Sequence, residues 1–364
     1  MVKILHTGDM HLDSAFAGLC GEQAIERRKE QRALLRDIVE LGNEEGVELL
    51  LLSGDLLDGM NAYYETADTL SRILAKSSAR VFIAPGNHDA YHAMSPYRSV
   101  KFPDNVHLFK SGDIEAVDIP ELNVCVHGAA FTSPDCERTL LKNFCAEDDG
   151  RIHIMVLHGE VTQGYSKYNP IREEDIAASN LDYLALGHVH SFGGVQRAGK
   201  TAYAYCGCPE GRGFDELGDK GVLIGNISRE GADVSFKKMA RYTYNIVNIR
   251  LRGESDAIGT ASGLLPERDE RGLYRAVFDG EYDGFDAERI YEEFAPRFYY
   301  FKVIDRTTPV RSIWEGEELD GLKGMFLRRL HKKYLETGDA REQEIIRRAA
   351  RFGVAALDNR EEPR

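Results

Sequence analysis

The sequence has few cysteines, a single tryptophan and no apolar run of the length that crosses a membrane. The run Leu49–Leu52 is far shorter than the roughly 20 residues that a membrane-spanning helix needs. The N-terminus, MVKILHTGDMH, starts directly with a strand-like segment and lacks the basic, apolar and small-residue regions of a signal peptide. We therefore expect a cytoplasmic protein that does not bind a membrane.

Cysteine is too scarce here to supply a disulfide framework. The six residues, at positions 20, 125, 136, 145, 206 and 208, include no C-x-x-C pair. We expect reduced thiols, as is usual in the cytosol. Cys206 and Cys208 lie close together, but two thiols without a partner pair are a weak zinc signal. Their role stays open at the level of the sequence.

Positive charge is also in short supply. The formal net charge is −14, and residues 312–364 hold equal numbers of acidic and basic side chains, so the acidic excess lies in residues 1–311. A field of this sign repels a polyanion unless basic residues gather on one face. It does not exclude a phosphate-handling metal site, because bound divalent cations would be the largest local charges there.

What the sequence does contain is one local pattern that occurs five times. An apolar, strand-like run leads directly into a polar cluster with glycine, at 2–11, 49–58, 81–89, 152–160 and 182–190. Helix-like stretches at 26–46 and 63–77 separate the first three. This alternation predicts an α/β protein with parallel strand pairs, whose carboxyl ends share one edge of a sheet. We expect the five polar clusters to converge at that edge.

The chain divides into three parts by its patterns. Residues 1–243 hold the five clusters and further strand-like runs, and are predicted to form the catalytic domain. Residues 244–311 alternate strand-like and helix-like segments, which predicts a small α+β capping domain. Residues 312–364 are predicted to be a helical C-terminal segment with an apolar stripe. That stripe consists of Leu322, Phe326, Leu330 and Tyr334.

The polar clusters supply the side chains that divalent metal ions bind, namely carboxylates, imidazoles and one amide. In an extended D-x-H or H-x-H segment both side chains lie on one side of the chain. Each cluster alone is explained as well by a turn or a strand cap. However, five of the eleven histidines fall at these predicted strand ends, for which capping gives no reason. The candidate residues are Asp9, His11, Asp55, Asp58, Asn87, His88, Asp89, His158, His188 and His190.

A site with these ligands could hold two metal ions about 3.5–4 Å apart. Such a pair lowers the pKa of a shared water and stabilises the charge that develops on a phosphoryl oxygen. Phosphoester hydrolysis is therefore the predicted reaction.

In order and spacing, these clusters resemble the motifs of the calcineurin-like metallophosphoesterases. The family pattern D-x-H, G-D-x-x-D, G-N-H-[D/E], H and G-H-x-H is matched by DMH (9–11), GDLLD (54–58), GNHD (86–89), HG (158–159) and GHVH (187–190). The resemblance implies a four-layer sandwich of two mixed sheets flanked by helices. It also implies two divalent metal ions, with manganese expected and iron, zinc or magnesium as alternatives.

The same resemblance implies a role for each matched residue. The implied ligands are Asp9, His11 and His190 for one ion, Asn87, His158 and His188 for the other, and Asp55 as the bridge. His88 would not bind metal but would lie over the scissile phosphate as general acid or charge stabiliser, with Asp89 orienting its ring. His92 has no counterpart in the motif and is predicted to be a loop histidine near the cleft.

Within this family the sequence is similar to the SbcD/YhaO-type DNA repair nuclease subunits. Segment 205–227 resembles the stretch that follows the last motif in that group, and Gly59 and Asp89 differ from the Arg and Glu of protein phosphatases. The resemblance implies a DNA exonuclease or endonuclease that uses a metal-bound hydroxide. It also implies DNA as substrate and an SbcC-like coiled-coil ATPase as partner, with a homodimer as an open alternative.

Two other functions stay open. The acidic composition favours a phosphoesterase for nucleotides or other small phosphate esters. A regulatory or scaffold subunit with a residual metal site is the second alternative, and it is disfavoured because none of the ligand residues is missing.

Overall fold

A computed structural model describes residues 1–59, 64–253, 255–310 and 312–358. They form two compact units. The first comprises Met1–Ile246, Asp269–Tyr274 and Phe298–Tyr300, and the second comprises Val247–Arg268, Arg275–Arg297 and Phe301–Arg364. In the described ranges, no helix has the length and apolar character that a membrane crossing requires. The three-part division at 243 and 311 stays a prediction, and residue 311 itself lies outside the described residues.

The helices and strands have the following bounds. The strands are β1 (Val2–Thr7), β2 (Leu49–Leu52), β3 (Arg80–Ile83), β4 (Val106–Leu108), β5 (Glu115–Ile119), β6 (Val124–Gly128), β7 (Ile152–His158), β8 (Glu160–Val161), β9 (Pro170–Ile171), β10 (Tyr183–Gly187), β11 (Gln196–Ala198), β12 (Thr201–Tyr205), β13 (Gly221–Ser228), β14 (Gly231–Lys238), β15 (Thr243–Arg250), β16 (Asp269–Glu281) and β17 (Phe298–Thr308). The α-helices are α1 (Gly21–Glu44), α2 (Tyr64–Leu74), α3 (Glu173–Ala178), α4 (Ala257–Ser262), α5 (Ala287–Phe294), α6 (Leu322–Glu336) and α7 (Ala340–Leu357). Short 3₁₀ helices span Pro96–Arg98, Pro120–Leu122 and Ala295–Arg297.

The first unit contains two six-stranded mixed sheets. Their strand orders are β14-β13-β1-β2-β3-β4 and β11-β12-β10-β7-β6-β5. In the first sheet β1, β2, β3 and β4 run parallel, and β13 pairs with β1 in the antiparallel direction. In the second sheet β6, β7, β10 and β12 run parallel. The strands that carry the predicted clusters therefore end on one side in each sheet.

Strand β2 shows why this unit has four layers. Its four leucines are all buried, and they alternate between two cores. Leu50 and Leu52 pack with apolar residues of α1 and α2, whereas Leu49 and Leu51 pack with apolar residues of the second sheet. A strand covered on both faces reads as a continuous apolar run rather than an alternating one. The predicted sandwich of two mixed sheets with flanking helices is confirmed.

Arg27, in helix α1, is a charged residue inside the first unit. Its side chain is fully buried, and Nη2 lies 2.8 Å from Oε2 of Glu210, which is also buried. The guanidinium carbon lies 4.1 Å from the centre of the Tyr242 ring. Oε1 of Glu210 accepts hydrogen bonds from the backbone amides of Arg241 and Tyr242 at 2.7 and 2.9 Å. A buried charge of this kind is tolerated because it is paired.

The second unit differs in detail from the predicted pattern. A helix-like segment of the predicted 244–311 region forms α5, which begins where Asp286 accepts a hydrogen bond from the Arg289 amide at 3.0 Å. The predicted C-terminal helices are α6 and α7. The predicted stripe is displaced, since Leu322 is 71% exposed and Leu327 is fully buried. A Cβ on Gly353 would lie 2.2 Å from the Phe326 ring, so α7 packs closely over that part of α6.

His6, on β1, is expected to make the stability of the first unit depend on pH. Its ring is hydrogen-bonded to the Tyr183 hydroxyl at 3.1 Å and the Ser53 hydroxyl at 3.2 Å, and burial lowers its pKa to about 3. The folded state therefore disfavours the imidazolium, so the contribution of His6 is complete above pH 6.5 and is lost as the pH falls from 6.5 towards 3.

We expect this loss to reach roughly 2–3 kcal/mol at pH 4.5. The measurement is the free energy of unfolding by denaturant between pH 7.5 and 4.5, for the native chain and for His6→Gln. The variant should show the shallower pH dependence, and His92→Gln should match the native chain. Equal slopes for the native chain and His6→Gln would contradict the assignment.

Candidate metal centre

The first two clusters are joined through their backbones. The amide of Asp9 donates to the Gly54 carbonyl, and the amide of His11 donates to the Asp55 carbonyl, both at 2.9 Å. Asp9, His11 and Asp55 have φ values of 49°, 44° and 49°, which is an unfavourable region for residues other than glycine. These cross-strand hydrogen bonds hold the strained segments, and such strain is common where side chains are aimed at a ligand.

Two glycines of the motifs are required by space. Gly54 has a φ of +89°, and a Cβ there would lie 2.7 Å from Nδ1 of His158. A Cβ on Gly187 would lie 2.0 Å from the Ser53 carbonyl oxygen. The ends of the two sheets approach each other at these points, so glycine allows the clusters of both sheets to meet.

Asp9, His11 and His190 form the first group, as predicted for one ion. All three have ligand atoms within 4.8 Å of one another. The Nε2 atoms of His11 and His190 are 3.3 Å apart, and Nε2 of His190 lies 3.8 Å from Oδ1 of Asp9. Two imidazole nitrogens that point at each other beside a carboxylate define one position that a divalent cation fits.

The second group lies beside the first. Nε2 of His158 is 2.9 Å from Oδ1 of Asn87 and 3.4 Å from Oδ2 of Asp55. The His188 and His158 rings have centroids 5.3 Å apart. Oδ2 of Asp55 is also 3.7 Å from Nε2 of His11, which belongs to the first group. All seven predicted ligand residues are thus brought together, with Asp55 between the two groups.

The second oxygen of Asp55 is held separately. Oδ1 accepts a hydrogen bond from the His88 backbone amide at 2.8 Å. This leaves Oδ2 facing both groups of imidazoles. The carboxylate is therefore oriented by the GNHD loop in the way that a bridging ligand requires.

The carboxylates and histidines perturb one another strongly. Burial raises the pKa of Asp9 to about 6, although the charges of His158 and His190 oppose this. For Asp55, burial is outweighed by the charge and hydrogen bond of His158, so its pKa lies below the usual range. The Asp55 and Asp9 carboxylates also outweigh burial at His158 and raise its pKa to about 9. Buried anions that need a nearby positive charge favour cation binding.

The imidazole rings of His11 and His188 are held in the neutral form. Burial lowers the pKa of each imidazole to about 4, with the charge of His158 adding to the effect at His188. A neutral imidazole is the form that coordinates a metal ion. The set of carboxylate, amide and imidazole donors fits two divalent cations, and the donors alone do not distinguish manganese from iron or zinc.

Glu216 orients His190. Its Oε1 lies 2.6 Å from Nδ1 of His190 and 2.6 Å from Nη2 of Arg212, and the carboxylate is almost fully buried. The hydrogen bond to Glu216 outweighs burial and raises the pKa of His190. With Nδ1 occupied in this way, Nε2 is left free to face Asp9 and His11. Glu216 is not among the predicted site residues, although it lies in the segment that resembles the SbcD/YhaO group.

We expect Glu216→Gln to weaken metal binding at the Asp9–His11–His190 group by about 10- to 100-fold. The amide cannot hold His190 as strongly in the tautomer that binds through Nε2. Isothermal titration of the metal-stripped protein with Mn²⁺ would show one weakened site and one unchanged site. Equal weakening of both sites, or of neither, would contradict this role.

Asp89 differs from its predicted role. Its Oδ1 accepts from the Gly86 amide at 2.7 Å, and its Oδ2 accepts from the Leu56 amide at 2.7 Å and the Tyr97 hydroxyl at 2.5 Å. Asp89 therefore ties the GDLLD and GNHD loops together rather than orienting the His88 ring. Its fully buried position suits this task, because backbone amides satisfy the charge.

The carboxylate beside the His88 ring is Asp58. Its Oδ1 lies 3.6 Å from Nδ1 of His88 and 3.3 Å from Nδ1 of His11. The His88 side chain is 47% exposed, and its ring meets the His11 ring edge-on with centroids 4.7 Å apart. His88 thus projects from the candidate ligands towards solvent, where a substrate would enter.

His92 was predicted to be a loop histidine, and the roles of Cys206 and Cys208 were left open by the sequence. Nδ1 of His92 accepts a hydrogen bond from the Met94 amide at 3.1 Å, as expected of a loop residue. Cys206 is buried, 3.8 Å from the Ser53 hydroxyl. The Cys208 thiol lies 3.8 Å from Oε2 of Glu216, behind the carboxylate that holds His190. Cys208 therefore packs against a residue that supports the candidate centre.

Comparison with known proteins identifies relatives of this chain. Residues 2–192 match the model of the family described as Calcineurin-like phosphoesterase. The chain is 30% identical over 251 residues to the Uncharacterized metallophosphoesterase YhaO of Bacillus subtilis, which covers 65% of this chain and 59% of that protein. It is also 30% identical over 229 residues to a subunit of the nuclease SbcCD of Rhodobacter capsulatus, covering 54% and 50%.

A longer but weaker similarity extends beyond the catalytic motifs. The chain is 22% identical over 342 residues to the DNA double-strand break repair protein Mre11 of Saccharolobus solfataricus, covering 85% of this chain and 84% of that protein. By contrast, the chain spans only about half the length of the first two relatives.

Proposed function

Because the chain belongs to the calcineurin-like phosphoesterase family, we propose that it is a two-metal phosphodiesterase that hydrolyses DNA, as an exonuclease or endonuclease. The observation that carries the phosphodiesterase part is the position of Asp55, whose Oδ2 lies 3.7 Å from Nε2 of His11 and 3.4 Å from Nε2 of His158. One carboxylate oxygen between two groups of donors is what a pair of ions about 3.5–4 Å apart requires.

The residues that would hold the two ions are the seven already described. The ions would be Mn²⁺ by preference, and when bound they would activate water and stabilise charge on the phosphate. Asp55 would keep both ions at a fixed separation, since its Oδ1 is held by the His88 amide at 2.8 Å. Glu216 would hold His190 in the tautomer that binds through Nε2.

His88 is the group proposed to act on the substrate. Its half-exposed ring lies above His11, and Asp58 lies 3.6 Å from its Nδ1. From this position the His88 ring can stabilise negative charge on the phosphate or donate a proton to the leaving oxygen. Nε2 is the atom of the ring that would perform this step, because Nδ1 faces Asp58.

The DNA substrate is supported by what the relatives' names state of those proteins, a nuclease subunit and a double-strand break repair protein. The acidic excess of the chain opposes it, since polyanions bind to basic surfaces. Two cations lie beside His190. Nη2 of Arg212 is 3.2 Å from Nδ1 of His190, and Nζ of Lys220 donates to the backbone carbonyl of His190 at 2.7 Å. They would partly compensate the acidic field close to the phosphate.

A substrate comparison tests the proposal. Metal-stripped protein with Mn²⁺ restored would be incubated with labelled single- and double-stranded DNA, with cyclic and linear dinucleotides, and with a bis-aryl phosphate. We expect cleavage of DNA and of the bis-aryl phosphate. Cleavage of dinucleotides with inertness on DNA at low salt would replace the DNA assignment by the alternative of a small-ester enzyme, which the net charge of −14 favours.

We also propose a partner protein and a reducing compartment. All six cysteines are free thiols, as is usual in the cytosol. The α6–α7 pair exposes Leu322, Met325 and Phe352 by 71%, 62% and 62%, which suits an SbcC-like ATPase or a second copy of the chain. Sedimentation of the purified chain at several concentrations would show whether it self-associates.

A further inference from the structure

Another cluster of side chains of the types that bind metal ions lies in the second sheet, apart from the candidate ligands described above. Cys125 and His127 are on β6 and His153 is on β7, with Cys125 and His153 in register across the parallel pair. Val124 and Val126 face the first sheet, so the alternating residues Cys125 and His127 point to the opposite face. All three side chains therefore share one face of the sheet.

The three side chains converge in a buried place. Cys125, His127 and His153 are only 2%, 7% and 3% exposed, and their ligand atoms all lie within 4.8 Å of one another. Nε2 of His127 is 3.0 Å from Nδ1 of His153. The Phe144 ring packs edge-on against His127, with centroids 5.0 Å apart. A thiol and two imidazoles that meet under an aromatic cover form a set typical of zinc ligands.

The surroundings of His153 support metal binding. Its Nε2 is 3.0 Å from Oδ1 of Asp149, so Nε2–H donates to a carboxylate while Nδ1 faces Cys125 and His127. Metal-bound histidines commonly use this arrangement, in which the carboxylate fixes the tautomer and strengthens the donor. Arg151 bonds to both Asp149 and Asp118, and Asp118 is in register with Cys125. Asp118, Asp149 and Arg151 together carry one net negative charge. A divalent ion bound to the Cys125 thiolate adds one net positive charge, so the local charge changes by only one unit.

We propose that Cys125, His127 and His153 form a third metal site, selective for a borderline-soft divalent ion such as Zn²⁺. On binding, Cys125 loses its thiol proton to solvent and His127 moves its proton from Nε2 to Nδ1, so one proton is released for each ion. Three protein ligands leave one position of a tetrahedral ion for water. Thiolate and imidazole donors select zinc over manganese, whereas the carboxylate-rich centre accepts manganese. This inference does not depend on the proposed DNA substrate.

Cobalt is the probe for the test, because Co²⁺ bound to a thiolate absorbs in the near ultraviolet. None of the ligands assigned to the other two ions is a cysteine, so this absorption would report only on the proposed third site. The metal-stripped full chain would be titrated with Co²⁺ and then with Zn²⁺. We expect three bound ions and a thiolate-to-cobalt absorption that Zn²⁺ removes. Two bound ions without that absorption would overturn the proposal and leave a hydrogen-bonded Asp149–His153–His127 chain in its place.

Variants assign the signal to its residues. Cys125→Ser and His127→Asn should each abolish the absorption and reduce the stoichiometry to two, and Asp149→Asn should weaken Zn²⁺ binding about 10- to 100-fold. Cys136→Ser and Cys208→Ser are the controls, since they change other free thiols, and both should keep the absorption. Persistence of the absorption in Cys125→Ser would overturn the proposal. Should that variant fail to fold, His127→Asn and the native chain decide the question.

Discussion

His88→Ala is expected to lower kcat on a phosphodiester by about 10²- to 10⁴-fold while both metal ions remain bound. His88 presents a half-exposed ring above the candidate ligands, and Asp58 lies 3.6 Å from its Nδ1. Removing the ring deletes the group proposed to stabilise the phosphate charge or to protonate the leaving oxygen. The backbone amide that holds Asp55 is unchanged by the substitution, so the ions should stay.

The measurement pairs steady-state hydrolysis of a bis-aryl phosphate with the metal content of the dialysed protein. His92→Ala is the matched control, because it removes a histidine of the same loop that is bonded to the Met94 amide, and it should leave kcat unchanged. A good leaving group needs little protonation, so a smaller defect with an activated aryl ester would favour the general-acid role. Loss of the metals from His88→Ala would contradict the assignment and make His88 a ligand.

Asp55→Asn is expected to release metal from both positions and to lower activity by about 10³-fold or more. The asparagine side chain keeps one oxygen that can accept the hydrogen bond from the His88 backbone N–H. It loses the charged Oδ2 that lies between His11 and His158. In the metal-free protein it also removes the main counter-charge of the buried His158 ring, so the pKa of His158 should fall from its raised value.

Asp58→Asn provides the comparison for Asp55→Asn. Asp58 lies 3.3 Å from Nδ1 of His11 and supports that ring from outside, so its loss should weaken metal binding by only about 10- to 100-fold. Metal analysis at increasing Mn²⁺ would show recovery of Asp58→Asn and little recovery of Asp55→Asn. Two ions bound with native affinity in Asp55→Asn would show that this carboxylate is not the bridge.

The residues of the candidate metal centre could be predicted from the sequence because each of them lies next to a recognisable strand. Each cluster follows a strand directly, so the parallel strand ends fix where Asp9, Asp55, Asn87 and His158 meet. The continuous leucines of β2 likewise indicate a strand covered on both faces. These features depend on neighbours in the chain and on a general rule for sheets.

The contacts that the sequence did not reveal join residues that are far apart in the chain. Glu216 reaches His190 across 26 residues. Asp58 was a candidate residue without an assigned role, and it reaches His11 across 47 residues. Asp89 was assigned to its neighbour His88, but the backbone amides of the GDLLD loop compete for its carboxylate and bind it. The Cys125–His127–His153 group is likewise formed by register between β6 and β7, which no spacing in the sequence reveals.

The buried pair of Arg27 and Glu210 sets a lower limit on how short a working chain can be. The family match ends at residue 192, but Glu210 and Glu216 lie beyond it, as does β13, which covers the edge of β1. A chain cut at 192 would keep every candidate ligand but would lose Glu210 and the Tyr242 ring, against which the Arg27 guanidinium packs. The part of the protein that carries the proposed chemistry is therefore smaller than the part that can fold, since the first unit extends to Ile246 and also includes Asp269–Tyr274 and Phe298–Tyr300.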